Sequence, residues 1–518
     1  MEKEILEAIK EKGLLLEKEI FDLLREIGDV SVARDLLETF EKTSKGKMIT
    51  KNVLNKNFEY VRGVVGKLPG EEKNYLEKVF VKMGLSLEVR REQVVAETKK
   101  DVEQLPKQNY QVFYAATSPD KKLEVKDFTG HFRARYQHLQ RILMQRPDVQ
   151  SNLVSIGKIS SDRASLSIIG IVVEKRITKN KNLIIKFEDL TGQVGALVKH
   201  GSEIFERGEE LQLDDVVAVK ASGSRELLFV HNIFYPDAFK LEKTKFEEEI
   251  CVAFLSDVHA GSKGHLGREF ERFLKWLNSE DELAQKISYL FFTGDNVDGV
   301  GIFPGQEDSL DLKSMGEQYS LLASYLRNVP KRITMFMCPG QHDATRVAEP
   351  QPLISKRYAS ALYDIENLVL VTNPCLVKLL ERSKEFKILM YHGASLHTLI
   401  NEIKELRDLK AHTCPAKAGK HLLKRRHLAP THSEVVYIPN ANLDPLVIDE
   451  VPDVLATGEI HRPDVENYNG VLIIAGSCWQ SQTAFEEKVG NIPDPCKVPI
   501  LNLKTRELRV LDFSQGEE

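Results

Sequence analysis

Cysteine is scarce in this 518-residue chain, and long apolar runs are missing. The six cysteines never form a CxxC pair, which excludes a zinc ribbon and gives no sign of a disulfide framework. They are predicted to be reduced, buried thiols of a cytosolic protein. No stretch approaches the roughly 18 apolar residues that a membrane span requires. The N-terminal MEKEILEAIKEKG has neither an apolar core nor a small-residue cleavage site, so a cytoplasmic location is expected.

The chain also lacks a strong excess of charge of either sign. It contains 72 Lys and Arg against 77 Asp and Glu, a net charge of −5. This balance argues against a protein coated uniformly with nucleic acid, although single segments can still be basic. The length exceeds what one hydrophobic core supports, so about two to four domains are expected.

Hydrophobic periodicity divides the chain into four parts. Residues 1–57 have apolar residues at helical spacing and are predicted to form a small helical domain, either a docking module or a bundle without a ligand. Residues 58–150 indicate a polar linker that is partly helical, with a helix over about 127–143 that packs on the next domain. Residues 151–240 alternate in five short runs, which predicts a β-barrel of the OB type. Residues 241–518 are predicted to form a two-sheet α/β catalytic domain.

The predicted barrel has two alternative roles. Barrels of this type often bind single-stranded nucleic acid by stacking bases on aromatic side chains. Here the predicted strands offer only Phe187 and Phe229 as candidate aromatics. A barrel that docks a partner or has a purely structural role is therefore an equal alternative.

Between Cys251 and His461 an apolar run ends five times in a residue that can bind a metal or transfer a proton. The residues that follow these runs are Asp257 and His259, Asp295, Gln341 with His342 and Asp343, His392, and Glu459 with His461. Short runs rich in Val, Ile and Phe are typical of buried strands. Ligands of open α/β sheets collect beyond the carboxyl ends of the strands. The pattern therefore predicts one active site built on strand ends.

These residue types suit a site for two metal ions. Hydrolysis of a phosphodiester requires an activated water, neutralisation of charge on the phosphorus oxygens and a proton for the leaving oxygen. Asp257 and His259 can give one ion an oxygen and a nitrogen ligand, and Asp295 on its Gly-Asp turn is the candidate bridge. Asp298 is expected to cap a turn, with support of Asp295 as the alternative.

The order of the motifs resembles that of the calcineurin-like metallophosphoesterases. The motifs are Asp257-x-His259, Gly294-Asp295, Gly340-Gln341-His342-Asp343, His392 and Gly458-Glu459-x-His461. With a barrel and a helical unit in front of them, the whole chain is similar to the small subunits of archaeal family D DNA polymerases. Segments 294–301, 304–306 and 425–430 look more like those subunits than like a generic phosphatase.

The resemblance implies a role for each motif residue. The implied ligands of the first metal are Asp257, His259, Asp295 and His461, and those of the second are Asp295, Gln341, His392 and Glu459. His342 matches the histidine that contacts the scissile phosphate and protonates the leaving 3′ oxygen, and Asp343 is expected to orient it or to support its charge. The implied cofactors are two divalent metal ions.

Two positions depart from the general pattern of the superfamily, and both belong to the second metal. Gln341 stands in place of Asn, and Glu459 stands in place of His. Gln keeps the amide oxygen on a longer stem, whereas Glu replaces a neutral nitrogen with an anionic oxygen. Both changes favour the hard ions Mn²⁺ or Mg²⁺. The site is therefore expected to be retuned and to stay active.

A basic tract follows His392. Residues 404–427 contain eight Lys and Arg against Glu405 and Asp408. A positive surface beside a site that cleaves phosphodiesters would attract a DNA backbone, with an affinity that falls as salt rises. The predicted DNA contacts are Lys424, Arg425 and Arg426, and the alternative is an ordinary solvated face.

The resemblance implies a replication subunit that removes mispaired 3′-terminal nucleotides while a separate large subunit polymerises. The expected partners are DNA 3′ ends and that large subunit, and no membrane is expected. Two alternatives stay open. One is a scaffold subunit whose altered second-metal ligands have weakened or ended catalysis. The other is a free-standing phosphatase or repair nuclease of the same superfamily.

Overall fold

The computed structural model describes residues 9, 15–17, 48–49, 109–117, 122–159, 163–432, 434–489 and 491–514. The chain divides into a unit of Met1–Leu105 and a unit of Pro106–Glu518. In the first unit, strand β1 (Leu15–Leu16) pairs in parallel with β2 (Met48–Ile49). The prediction of a small helical domain did not include this strand pair. Ile9 is at a helical position, and residues 1–57 other than 9, 15–17 and 48–49 lie outside the described residues.

The segment expected to be a linker contributes two ordered elements to the second unit. Strand β3 (Tyr110–Tyr114) pairs antiparallel with a strand of the C-terminal domain, so this part is not a linker. Helix α1 (Val125–Met144) begins with reciprocal hydrogen bonds between Glu124 and Asp127 and confirms the expected helix. Its apolar face packs on the barrel, and the short helix α2 (Pro147–Gln150) follows.

Five strands form a closed barrel after α2. They are β4 (Arg163–Ile177), β5 (Leu183–Asp189), β6 (Gly192–Val198), β7 (Val216–Gly223) and β8 (Leu228–Phe234), in the order β4, β5, β6, β8, β7. Helix α3 (Phe205–Glu210) lies between β6 and β7 in the chain. Alternating apolar side chains fill the interior, and Phe187 is among them. Phe187 is therefore unavailable for stacking, whereas Phe229 is 49% exposed.

The C-terminal domain is built on two six-stranded sheets. The first sheet has the order β12 (Leu368–Leu370), β11 (Thr334–Cys338), β10 (Ile287–Thr293), β9 (Cys251–Leu255), β18 (Lys497–Asn502), β19 (Leu508–Asp512). The second has the order β16 (Asp464–Tyr468), β17 (Val471–Ala475), β15 (Val454–Thr457), β14 (Lys384–Met390), β13 (Cys375–Glu381), β3.

The sheets face each other across a shared apolar core, and helices cover their outer faces. Phe254, Phe291 and Phe336 are buried between the sheets. The first sheet is covered by α4 (Gly267–Leu277), α5 (Glu282–Lys286), α6 (Met315–Leu326) and α7 (Lys356–Tyr363). The second is covered by α8 (Leu396–Glu402), α9 (Lys404–Asp408) and α10 (Ala416–Arg425). The remaining helices are α11 (Ala484–Val489) and three short 3₁₀ turns at Ile156–Lys158, Gln306–Asp308 and Ala411–Thr413.

All six cysteines lie in this unit and are free thiols. Five of them are buried, as predicted, and Cys414 is half-buried. Within the described ranges, no helix has both the length and the apolar character needed to cross a membrane.

Candidate metal centre

The predicted site residues follow strands whose carboxyl ends meet. Strands β9, β10 and β11 run parallel in the first sheet, and β14 and β15 run parallel in the second. The loops after these five strands bring together Asp257, His259, Asp295, His342, His392, Glu459 and His461. Strand ends from both sheets therefore form one site, as the apolar runs predicted.

The backbone at five of these residues has an uncommon conformation. The φ angles are positive at Asp257 (50°), His259 (47°), Asp295 (47°), Glu459 (73°) and His461 (58°). Residues with a Cβ enter this left-handed region rarely and at an energetic cost, which the surrounding structure must offset. Its repetition at the candidate ligands indicates that the loops are held in shape to direct these side chains into one centre.

Two motif glycines leave room for the candidate ligands. A Cβ at Gly340 would lie 2.2 Å from Asp295 Oδ1, and one at Gly294 would lie 2.4 Å from His392 Nδ1. Both distances are far below van der Waals contact. The glycines of the Gly-Asp and Gly-Gln-His-Asp motifs are therefore required because side chains of the centre pack against their backbone.

The first group of ligand atoms comes from Asp257, His259 and His461, which lie within 4.8 Å of one another. His259 Nδ1 lies 3.1 Å from Asp298 Oδ1, and His461 Nδ1 lies 2.9 Å from Glu486 Oε1, so each ring donates through Nδ1. The two Nε2 atoms then face each other at 3.2 Å, and Asp257 Oδ1 lies 3.5 Å from that of His461. A cation bound by both nitrogens would be balanced by this carboxylate. This group fits a divalent metal.

The second group is centred on His392. Its Nδ1 donates to the Thr293 carbonyl over 2.8 Å. Its Nε2 is buried and makes no hydrogen bond to any described residue. That atom lies 3.3 Å from Asp295 Oδ2 and 2.9 Å from Glu459 Oε2. Two carboxylates face this one ring nitrogen, and a divalent cation that replaced its proton would balance both charges, so this group also fits a divalent metal.

The two groups are joined by an aspartate. Asp257 also forms a cluster with Asp295 and His392 in which the ligand atoms lie within 4.8 Å. The geometry thus links the groups through Asp257, and the bridging role of Asp295 stays a prediction.

Gln341 lines a cavity beside His342, and its side chain forms no hydrogen bond within the described ranges. Its role as a ligand also stays a prediction.

Opposite charges hold the side chains of the second group in their ionised forms. Burial by itself would raise the pKa of Asp295, but the charges of His392 and His342 keep it below its usual range. Burial by itself would lower the pKa of His392, but Asp295 and Glu459 raise it well above the usual value. The carboxylates therefore stay anionic near neutral pH, as ligands of a hard cation must.

His342 is oriented as a proton donor. Its Nδ1 lies 2.6 Å from the Asp298 carbonyl oxygen, and its backbone N–H donates to Asp295 Oδ1 over 2.9 Å. These bonds direct Nε2 toward the centre, where it lies 3.8 Å from Asp295 Oδ2. Burial lowers the pKa of His342, but the Asp295 carboxylate and the bond to Asp298 outweigh that effect and raise it.

Asp343 does not orient the His342 ring through a hydrogen bond, and its support of the charge on that ring stays a prediction. The Asp343 carboxylate accepts hydrogen bonds from Gly340 N at 2.9 Å, from Asn296 Nδ2 at 2.9 Å and from the Tyr319 hydroxyl at 2.8 Å. Asp343 therefore ties the loop after β11 to the loop after β10. The His342 ring is instead held by a backbone carbonyl, which no side-chain pattern could indicate.

Three further residues contact the centre in ways that the sequence did not predict. The Asp298 carboxylate binds the His259 ring, so its expected role as a turn cap is wrong, although its place after Asp295 in the same loop was a usable signal. Glu486 supports His461 from a distant, motif-free segment that gave no signal. His397 Nε2 lies 3.6 Å from Glu459 Oε1 at the edge of the centre.

The predicted DNA contacts at the end of α10 are wrong. The Arg425 guanidinium is buried and donates to Asp215 Oδ1 over 2.8 Å. The Lys424 ammonium lies 2.5 Å from Glu210 Oε2. Arg426 is also buried, and its Nε donates to the Ile448 carbonyl over 2.6 Å. The first two side chains join α10 to the barrel and the third joins it to a neighbouring loop, so these charges are used inside the protein.

Comparison with known proteins identifies the family. The family model of the B subunits of DNA polymerases alpha and epsilon matches residues 252–466. The chain is 36% identical to the DNA polymerase II small subunit of Pyrococcus abyssi, over 86% of this chain and 72% of that protein. It is 35% identical to that of Pyrococcus horikoshii, over 97% and 80%. A solved archaeal phosphodiesterase aligns with 51% of this chain and 99% of its own at 14% identity, but the TM-score of 0.25 is too low to define the fold. The chain therefore belongs to the family of archaeal DNA polymerase II small subunits, the small subunits of family D polymerases.

Proposed function

We propose that this subunit removes mispaired 3′-terminal nucleotides from DNA by hydrolysing the last phosphodiester. The observation that carries the proposal is the buried His392 Nε2, which makes no hydrogen bond to a described residue and faces the carboxylates of both Asp295 and Glu459. A centre of this kind can exchange the ring proton for a metal ion, and a pair of metal ions suits phosphodiester hydrolysis. The proposed cofactors are two divalent ions, Mn²⁺ or Mg²⁺.

The proposed ligands divide between the two groups. Asp257, His259 and His461 would hold one ion, and Asp295, His392 and Glu459 would hold the other, with Gln341 as a further oxygen ligand. When bound, such ions supply an activated water and neutralise charge on the phosphorus oxygens. Glu459 contributes an anionic oxygen to the second group, which favours Mn²⁺ or Mg²⁺ over softer ions.

The residues of the chain supply the proton for the leaving group. Water adds to the phosphorus of the last phosphodiester while the bond to the 3′ oxygen of the penultimate nucleotide breaks. His342 gives its Nε2 proton to that oxygen, and the Asp298 carbonyl keeps the ring oriented through Nδ1. The products are a deoxynucleoside 5′-monophosphate and a DNA strand shortened by one nucleotide.

The remaining domains have proposed roles in assembly. The strand order β4, β5, β6, β8, β7 supports assignment of residues 151–240 as an OB-type barrel. The relatives in Pyrococcus are named small subunits, so we infer that this chain assembles with a large polymerase subunit. The barrel and the adjoining face of the domain over residues 241–518 are the candidate docking surface, and the N-terminal residues 1–57 are a further candidate.

A mismatched primer labelled on its 3′-terminal nucleotide tests the proposal. The wild-type protein, alone and with the large subunit, is expected to release labelled mononucleotide in Mn²⁺. Asp295→Asn removes a charge from the second group and is expected to abolish release while leaving assembly intact. His342→Ala is expected to slow release by about 100- to 10,000-fold, the usual contribution of a general acid.

The same assay distinguishes the alternative role as a scaffold. A scaffold assembles with the large subunit, yet none of the proteins, including the wild type, then releases a nucleotide. Release that persists in Asp295→Asn contradicts the assigned centre. Each result is compared with Asp449→Asn, because Asp449 is exposed and lies outside the ligand groups.

A further inference from the structure

A cavity of about 370 Å³ extends from the proposed proton donor His342 away from the two ligand groups. Gln341 and His342 form one wall. Asp343 and Thr345 also line it, and the other lining residues are Val300, Ile302, Met315, Ala344, Val347 and Tyr358. The cavity is therefore continuous with the candidate metal centre but is more apolar.

The apolar lining of this cavity is unusually exposed. Val300 is 41% exposed, Ile302 39%, Val347 56% and Tyr358 43%. Phe303, in the same loop as Val300, is 46% exposed. Single exposed apolar residues are ordinary, but a group of them around a cavity marks a binding surface. The occupant should have a flat apolar face, because the lining combines the Tyr358 ring with aliphatic side chains.

A second cavity of about 540 Å³ shares Tyr358 with the first. Arg357 lines it, and the guanidinium carbon lies 5.3 Å from the centre of the Tyr358 ring. Arg357 makes no ion pair with a described carboxylate, unlike Lys424 and Arg425 in α10. Glu317 also lines this cavity, with its carboxylate bound by the Ser314 hydroxyl at 2.7 Å. An unpaired guanidinium next to an exposed aromatic ring suits a nucleotide, which has both a phosphate and a base.

We propose that Tyr358 stacks on the base of the penultimate nucleotide and that Arg357 binds a phosphate further upstream. This inference rests on the proposed function. His342 lies next to the leaving 3′ oxygen, and that oxygen belongs to the penultimate nucleotide. The nucleoside on that side of the scissile bond is therefore the one that reaches the cavity beside His342.

The arrangement explains how a terminus would be selected. A base can enter the cavity only when it is unstacked and unpaired, and unpairing costs least near a mismatch. Stacking on an aromatic ring accepts every base, because each base has a π face. The cavity would thus select for a frayed end and not for a sequence.

The experiment uses a single-stranded oligodeoxynucleotide with a fluorescent purine analogue at the penultimate position. The full chain, with its large subunit, is measured for quenching of the analogue on binding and for release of the terminal nucleotide. Tyr358→Ala is expected to remove the quenching and to slow release about tenfold below saturation. Tyr358→Phe keeps the ring and is expected to retain both. Tyr114→Ala, which removes an exposed tyrosine outside both cavities, is the matched control.

A second substrate identifies the nucleotide concerned. With an abasic penultimate residue, Tyr358→Ala should cause no further loss, whereas an abasic terminal residue should leave the tenfold effect intact. Arg357→Gln should reduce the salt dependence of binding by about one phosphate contact. Equal quenching and release in wild type and Tyr358→Ala would overturn the stacking. Quenching that depends on Tyr358 without nucleotide release would instead refute the proposed hydrolysis and leave the cavity assignment standing.

Discussion

Two buried clusters in this protein use the same residue types for different purposes. One is the candidate metal centre, and the other surrounds Asp444, where α1 packs on the loop after α10. In the second cluster Arg135 Nε lies 2.6 Å and His427 Nε2 lies 2.8 Å from Asp444 Oδ2. His131 Nε2 lies 3.2 Å from the same oxygen. The Arg135 guanidinium balances the charge of the Asp444 carboxylate there, so no further cation is required.

The two clusters differ in the partner of one ring nitrogen. His427 Nδ1 accepts a hydrogen bond from Ala429 N over 3.0 Å, which places the ring proton on Nε2, directed at Asp444. His392 Nδ1 donates to the Thr293 carbonyl, so Nε2 is the ring nitrogen that faces the carboxylates of Asp295 and Glu459. The backbone group beside Nδ1 therefore decides whether Nε2 of a buried histidine must keep its proton or can exchange it for a metal ion.

The charges follow the same division. Burial lowers the pKa of His427 to about 4, with Arg135 adding to the decrease, so this ring is neutral. Burial would do the same to His392, but two carboxylates without a guanidinium outweigh it and raise the pKa well above the usual value. The Asp444 carboxylate thus has a permanently charged guanidinium beside it, whereas the carboxylates of Asp295 and Glu459 pair only with imidazoles among the described residues.

Asp444→Asn should produce the largest change in stability. The substitution leaves the Arg135 guanidinium, which is 2% exposed, without its counter-charge. Breaking a buried ion pair in this way costs about 3–5 kcal/mol. We expect the free energy of unfolding in urea to fall by that amount, equally with and without Mn²⁺.

The matched control is Asp449→Asn. Asp449 pairs with His138 over 2.6 Å but is 71% exposed, so its loss should cost less than about 1 kcal/mol. If Asp444→Asn is no more destabilising than Asp449→Asn, or if Mn²⁺ changes the difference, the Asp444 cluster is not a closed structural unit.

Acidification should weaken the Asp444 cluster through His427. Its pKa is about 4 in the folded protein and about 6.5 in an unfolded chain. Between pH ~4 and ~6.5 the unfolded chain binds a proton at His427 and the folded protein does not. The contribution of His427 to the free energy of unfolding is therefore complete above pH ~6.5 and is lost as pH falls toward ~4. The shift corresponds to about 3 kcal/mol.

Urea unfolding of wild type and His427→Gln at several pH values isolates the contribution of His427 to stability. The difference between the two proteins in unfolding free energy should shrink as pH falls through this window. A difference that stays constant with pH would show that His427 titrates alike in both states and would contradict the proton assignment.

The candidate centre could be predicted from sequence because strand ends are local signals. A buried run followed by Asp, His or Glu specifies both the strand and the place of the ligand, and the structure brings together Asp257, His259 and His461 in one group and Asp295, His392 and Glu459 in the other. The five ordered runs also predicted the two-sheet domain.

The predictions that were wrong concern residues whose partners are remote in sequence. Lys424 and Arg425 appear in the sequence as a basic run on a helix, but Glu210 and Asp215, which neutralise them, lie more than 200 residues away. Burial of those pairs follows from how the barrel packs on α10, which periodicity does not specify. The same limit hid Glu486, whose contact with His461 arises from chain reversal after β17.

Glu486→Gln should produce the smallest effect and extends the comparison to the first metal group. Gln can still accept the His461 Nδ1 proton at the position now 2.9 Å away, so the ring keeps its orientation but loses the negative charge behind it. Loss of such support lowers metal affinity by about 10- to 100-fold. Titration calorimetry with Mn²⁺ should show this decrease, while stability without added metal changes little. Glu487→Gln, at an exposed neighbouring position, should leave the affinity unchanged. Equal affinities in wild type, Glu486→Gln and Glu487→Gln would mean that His461 needs no charge behind its ring. The proposed distinction between metal-binding and carboxylate-binding histidines would then rest on His392 alone.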